Sequence, residues 1–375
     1  MWAVYALINI LATSDRPAVN QLAGSWAKWF LYARSNARGI FMWGPQGDVC
    51  AVTALRPEVD TSAPRQNYAC ERDDCLNNDP FEGELMTWIL YFSSMLNTTE
   101  AASLWTRKRP QLLATNYTGS IVDGSNPVTG KHDYSGEPLK GRHIRPITTQ
   151  KGLHFASNEQ TKLLFLPYRD VEVVSKVYMN AEYVRTCNSV LMGSTPGLFS
   201  RCLNATLSTD SGPNRGIEGP WIQNAGIPSA AVFEEQELDM VTPSAVFPTI
   251  LFDRAVGLAW YKNMVDGKQM QSVLGNLAGR RRDGCAVARV GNWETKAPIL
   301  ISLLGGIVDI IRDAMVRDNI YDEFIRVTEQ EYGNVFDPSR NGGAPLVGQS
   351  TGLCLPDAQI DNQTLDDFST CNSMP

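Results

Sequence analysis

Histidine is scarce in this chain of 375 residues: there are three, His132, His143 and His154, all within one stretch. A Ser-His-Asp site has little to draw on, and no G-x-S-x-G elbow is present. Zinc-type spacing is missing too, because the close pair Cys70 and Cys75 has no second pair to match it. No G-x-x-x-x-G-K-S/T occurs, which removes the usual phosphate loop. Positive charge is in deficit: the net charge of −7 disfavours nucleic acid and anionic membranes as partners. No apolar run is long enough to span a bilayer; Met1 to Ala12 is apolar but short, with no basic start and no clear cleavage site. The expectation is no metal or other cofactor, no nucleic-acid or membrane partner, and a monomer that takes a neutral or polar ligand.

What is present is a globular composition, 43% hydrophobic and 19% charged. Nine Trp and twelve Tyr suit sugar stacking as well as a core. Eight cysteines are scattered along the chain, and four N-x-S/T acceptors accompany them at Asn97, Asn116, Asn204 and Asn362. Together they point to a secreted, N-glycosylated, disulfide-bonded protein. Cys70–Cys75, Cys187–Cys202 and Cys354–Cys371 are the local pairings expected. The first residues read as an amphipathic helix, so the chain is expected to begin inside a domain and to lack an N-terminal portion.

Helical patterns run over Met1–Thr13, Ala18–Ser35, about Glu100–Arg109, Ala156–Leu166 and Val171–Leu191. Thr242–Val265 and Thr295–Arg317 read as long single helices, and Asp318 or Tyr321 opens another to about Phe336. Gly39–Trp43 and Asp48–Thr53 flank a turn as a small hairpin. Asn116–His154, Pro196–Ser229 and Gln269–Arg289 read as irregular, the last with a solvated Arg280-Arg281-Arg282 turn. Residues 337–375 read as a loop-like tail. There is no βαβ rhythm and no linker, so residues 1–375 are read as one domain. The fold class expected is all-α: an (α/α)6 toroid with long loops and minor β-hairpins.

One stretch carries acids into a buried helix: Asn78-Asp79-Pro80-Phe81-Glu82-Gly83-Glu84-Leu85-Met86-Thr87-Trp88. Asp79 caps, Pro80 suits the first turn, and Glu82 and Glu84 lie at the positive end of the helix. Acids there complement the helix dipole, and they also suit a catalytic carboxyl. Trp293-Glu294-Thr295 repeats the device before another apolar helix. Other acids near helix starts or in loops are Glu159, Asp170, Asp239 and Asp253. Asp170 is read as a cap or an Arg169 partner, and Asp253 as a mid-helix surface or structural residue. Leu303-Leu304-Gly305-Gly306 reads as close packing inside a helix. Trp43, Tyr134 and Trp221 are candidates to stack on sugar, whereas Trp260 reads as core. Paired carboxylates are what glycoside hydrolysis needs: one acid for the leaving oxygen and one ionised base or nucleophile.

Several stretches resemble the endo-β-1,2-glucanases of glycoside hydrolase family 162, and more distantly family 144. They are Asp79–Leu90, Ser157–Val171, Tyr178–Ser189, Val241–Met264 and Trp293–Asp309. The resemblance implies the toroid, no metal, and internal inverting hydrolysis of β-1,2-glucan by general acid and base. It implies Glu84 as the acid, with Glu82 second, the proton passing through a substrate hydroxyl. It implies Glu294 as the base, where the family pattern has Asp. Glu159 and Tyr168 fall in one of these motifs and Arg185 and Asn188 in another, all four as substrate-binding candidates. The alternatives are a related transglycosylase or glucosidase of other linkage specificity, or a non-catalytic glycan-binding homologue.

Overall fold

The computed structural model describes residues 41–43, 49–51, 84, 87–88, 91–92, 98–119, 122–132, 138–143, 147–150, 160–191, 197–198, 202–203, 221–222, 240–267, 270–272, 275–281, 287–288, 293–342, 344, 346 and 352–356. Among them helix predominates. The elements in order are β1 Phe41–Trp43, β2 Val49–Ala51, α1 Thr98–Thr115, β3 Asn116–Gly119, β4 Val122–His132, β5 Pro138–His143 and β6 Ile147–Gln150. Then come α2 Lys162–Phe165, α3 Glu172–Leu191, β7 Cys202–Leu203, β8 Trp221–Ile222, β9 Met240–Val241, α4 Phe247–Phe252 and α5 Arg254–Lys262. The chain continues with β10 Gln271–Ser272, β11 Gly275–Asn276, β12 Gly279–Arg281, β13 Val287–Ala288, α6 Trp293–Leu303, α7 Val308–Arg317, α8 Tyr321–Phe336 and α9 Pro338–Asn341. It divides into two compact units, Met1–Ala114 with Ile310–Phe324, and Thr115–Asp309 with Ile325–Pro375. The expected helices at Met1–Thr13 and Ala18–Ser35 lie outside the described residues.

In the first unit the expected hairpin forms, with Phe41 opposite Ala51 and Trp43 opposite Val49. Its apolar centre is Trp88, fully buried, with ring centroids of Phe324, Trp105, Phe92 and Tyr91 between 4.6 and 5.4 Å away. α1 turns Ala101, Leu104, Trp105 and Leu112 inward, one stripe of a 3.6-residue period. Tyr91 donates its hydroxyl to Glu323 Oε1 at 2.5 Å. Between α7 and α8, Asn319 takes φ 56° and Ile320 N–H donates back to the Met315 carbonyl, a left-handed helix stop. α8 begins at Tyr321, as the sequence implies.

The second unit corrects several expectations. Asn116–His154 is not irregular: β3 pairs with β6 and β4 with β5, both antiparallel. The β4 register shifts at Gly124/Asn126 and again at Pro127/His132, and its Gly and Pro hide the alternation that marks a strand. Gln269–Arg289 also contains strands; Arg280 lies in β12, between Val241 of β9 and Val287 of β13. The helix expected over Thr242–Val265 is broken. A 3-10 turn at Pro243–Val246 leads into α4, Asp253 is extended, and α5 starts afresh. Asp253 is thus no mid-helix residue: its carboxylate accepts from Val256 N–H at 3.1 Å and caps α5. Gly257 lets α5 approach α4 closely, since a Cβ there would lie 2.6 Å from the Ile250 backbone nitrogen.

The helix expected over Thr295–Arg317 is broken as well. It stops at Leu303, and Gly305 and Gly306 take φ +86° and +87°. The glycine pair is therefore a helix stop, not packing inside a helix, and Thr295 lies within α6 and does not cap it. A Cβ on Gly306 would meet the Leu164 carbonyl oxygen at 2.9 Å, the same oxygen that accepts from Ile307 N–H. Arg169 ties the two breaks together. Its Nη1 donates to the Leu251 carbonyl at 2.5 Å and its Nη2 to the Gly305 carbonyl at 3.1 Å, so one cation serves the ends of two helices.

The core of this unit gathers Met179, Val241, Val246, Ile250, Trp260 and Leu353, among others. Trp260 is buried, as expected, and donates Nε1–H to the Cys354 carbonyl at 2.8 Å. The tail begins with a short helix, α9, not with loop. The local pairings Cys187–Cys202 and Cys354–Cys371 are overturned, because Cys187 bonds Cys354 across 167 residues. Cys70–Cys75 lies outside the described residues. Cys354 N–H also donates to Thr186 Oγ1 at 3.2 Å, so the segment 352–356 is strapped to α3 and α5. Cys354→Ser should lower unfolding stability by about 2–4 kcal/mol, read as a fall in the urea midpoint with a steeper slope, because the unfolded chain is no longer cross-linked.

Candidate active site

Glu84 is helical and fully buried, on the same face as Thr87, Trp88 and Tyr91 at the i, i+3, i+4, i+7 spacing. The sequence put an acid at the mouth of this helix; the structure buries it fully, on the helix face that carries Trp88. Glu82, Tyr134, Glu159 and Asp239 lie outside the described residues. Glu294 is the second residue of α6, and Pro298, four positions on, has no N–H to give to its carbonyl. Trp43 ends β1, and Trp221 pairs with Leu203 across β7 and β8. Glu84 and Trp43 belong to the first unit; Tyr168, Arg185, Asn188, Trp221 and Glu294 belong to the second. Asp170 is exposed in the 3-10 turn that precedes α3.

Tyr168 is fully buried and its ring faces a buried cation. Lys162 Nζ stands 5.1 Å from the ring centroids of Tyr168 and Tyr178 and 5.2 Å from that of Tyr332, and donates to the Tyr332 hydroxyl at 2.5 Å. Three aromatic faces and a hydroxyl hold one ammonium out of water.

Arg185 lies on α3, with Asn188 three residues on. It is 1% exposed and its partner Glu182 is 0% exposed, so the pair sits in the interior. Arg185 Nη2 donates to Glu182 Oε2 at 2.5 Å. Thr249 of α4 completes the triangle: its hydroxyl donates to the same Oε2 at 2.6 Å and accepts from Arg185 Nη2 at 3.1 Å. The sequence reading singled out Arg185 as a substrate-binding candidate and did not single out Glu182 or Thr249, which the structure places beside it. A signal was there: Glu182, Arg185, Thr186 and Ser189 follow the i, i+3, i+4, i+7 spacing within a helix otherwise buried by Val174, Val177, Ala181 and Val184. A polar stripe whose residues are all buried has to be matched inside the protein.

A family model described as endo-beta-1,2-glucanase SGL, of glycoside hydrolase family 162, matches residues 1–140 and 131–372. The chain belongs to this endo-β-1,2-glucanase family. Two solved structures from Talaromyces funiculosus resemble it, each 36% identical, over 99% of this chain and 68% of theirs. One is an endo-beta-1,2-glucanase complexed with sophorose, at a TM-score of 0.75. The other is a Glu-to-Gln mutant of that glucanase with beta-1,2-glucan, at 0.73. Among curated proteins none matches the chain. Membership in the endo-β-1,2-glucanase family makes the protein a glycoside hydrolase.

Removing one member of a buried ion pair strands the other. Arg185→Met should cost about 3–5 kcal/mol of stability, and Arg185→Met combined with Glu182→Leu should recover most of it. Denaturant titration of the two variants beside the parent checks both statements.

Proposed function

We propose that the protein cleaves β-1,2-glucan internally with inversion, by general acid and base catalysis from one catalytic domain. The observation that carries this reading is the endo-β-1,2-glucanase family match along nearly the whole chain. The solved relatives add the ligand class, since their structures hold sophorose and beta-1,2-glucan. Glu84 is the general acid, with Glu82 as the second choice. It delivers a proton toward the leaving oxygen through a substrate hydroxyl as the glycosidic bond breaks. Glu294 is the base: it takes a proton from water as that water bonds to the anomeric carbon.

Trp43, Tyr134 and Trp221 stack on glucose rings, and Glu159, Tyr168, Arg185 and Asn188 hold hydroxyls. The helical predominance supports an (α/α)6 toroid with its site at one end. The Cys187–Cys354 disulfide supports an oxidising, extracellular setting, and the N-x-S/T acceptors support glycosylation there. Asn116 is poorly suited to a glycan, because its amide nitrogen donates to the Val335 carbonyl at 2.5 Å. The protein acts as a monomer on an oligo- or polysaccharide.

The test is release of reducing ends from β-1,2-glucan, with β-1,3- and β-1,4-glucans as controls. Short β-1,2-linked oligosaccharides are expected, with the α-anomer formed first. Glu84→Gln should lower kcat by about 10²–10⁴-fold with folding intact. A folded wild-type protein that releases nothing from any of these glucans would sink the reading. Longer products than the substrate would indicate transglycosylation instead.

A further inference from the structure

The Glu182–Arg185–Thr249 triangle is incomplete. Glu182 Oε2 accepts two hydrogen bonds, yet Glu182 Oε1, Arg185 Nε and Nη1, and Ser189 Oγ have no hydrogen-bond partner among the described residues. Glu182, Arg185 and Ser189 share one face of α3 at the i, i+3, i+7 spacing, and each is at least 99% buried. A buried ion pair keeps its charges only where the remaining lone pairs and protons are also matched. Four buried polar atoms along one face of α3 are thus unmatched among the described residues.

The chemistry of those atoms narrows it. A spare carboxylate oxygen lies beside spare guanidinium N–H groups, and the pair is neutral overall. An anion would face Glu182, and a cation would face Arg185. A neutral ligand whose neighbouring groups both donate and accept fits both. Vicinal hydroxyls on a pyranose do so, one donating to Oε1 and the next accepting from Nε or Nη1, with Ser189 Oγ free to do either.

We propose that Glu182, Arg185 and Ser189 form a subsite for one glucose unit of the β-1,2-glucan, resting on the function proposed above. Thr249 is a positioning residue: its bond to Oε2 turns Oε1 toward the sugar. Each of the three residues is at least 99% buried, so a sugar held there is bound with bulk water excluded.

The test uses the full chain, β-1,2-linked gluco-oligosaccharides from sophorose upward, calorimetry, and turnover of β-1,2-glucan. Ser189→Ala deletes a hydroxyl with no hydrogen-bond partner among the described residues. It should leave the melting temperature unchanged and weaken oligosaccharide binding about 2- to 10-fold. Glu182→Gln keeps the shape and removes the charge; KM should rise more than 10-fold while kcat changes less. If both variants bind as wild type does, whatever their melting temperatures, the pair is a structural ion pair completed by water and the subsite is rejected. Failure of the wild type to bind any oligosaccharide rejects it too. Binding without turnover in the wild type sinks only the hydrolase reading, and the variant-to-wild-type ratios still decide the subsite.

Discussion

Charge taken out of water has to be matched, and the larger unit is arranged around two solutions to that problem. On α3 the carboxylate of Glu182 and the guanidinium of Arg185 are removed from solvent together. The effective penalty for burying such ions is several kcal/mol each, so their geometry is not negotiable. Thr249 must stand where its hydroxyl meets Oε2, which fixes the height of α4 against α3. Lys162 is the second solution. Its ammonium stands against three tyrosine faces and donates to the Tyr332 hydroxyl. The chemistry differs: a compact ammonium packs against aromatic faces, whereas a guanidinium has five directed N–H groups, and only some of Arg185's are taken among the described residues.

The helix breaks follow from the same constraint. α4 ends one turn after Thr249, and Asp253 starts α5 with its own cap. Gly257 then lets α5 lie against Ile250 at backbone distance. Each break leaves carbonyls without intrahelical donors, and Arg169 serves one at Leu251 and another at Gly305. The strap at 352–356 fastens the opposite elements: the disulfide and the Cys354 N–H hold it to α3, and the Cys354 carbonyl holds it to Trp260 of α5.

Much of this was legible in the sequence, for local reasons. α3 and α8 carry unbroken periodic stripes with clear starts, and both lie where the pattern places them. The β1–β2 hairpin follows from its turn. What was hidden depends on partners distant in the chain. Thr242–Val265 and Thr295–Arg317 are apolar throughout, so periodicity continues across breaks that only Asp253 and Gly305-Gly306 mark. The β4–β5 pair lacks alternation because Gly and Pro interrupt it. Cys187–Cys354 joins residues 167 apart, and no local spacing announces such a pair. At the site, Arg185 was visible through its motif, but Thr249 is a threonine in an apolar run until Glu182 is seen beside it.

If Glu294 is the base, as proposed, it stands where the resemblance implies Asp, which looks at first like a defect in the acid–base pair. One methylene moves a carboxylate by about an ångström, enough to cost about 10²-fold where reacting groups must touch. Inversion relaxes that demand. A retaining nucleophile has to reach carbon, and its two carboxyls stand about 5–5.5 Å apart; an inverting base has to reach only a water, and separations of about 6.5–9.5 Å serve. A wider span with a mobile water in it absorbs an extra methylene better than a covalent attack does. The first turn of α6 is also less constrained at this position, since Pro298 supplies no N–H to the Glu294 carbonyl. A longer base on a loosened turn is compatible with a water-mediated, inverting site, and would be poorly compatible with a retaining one.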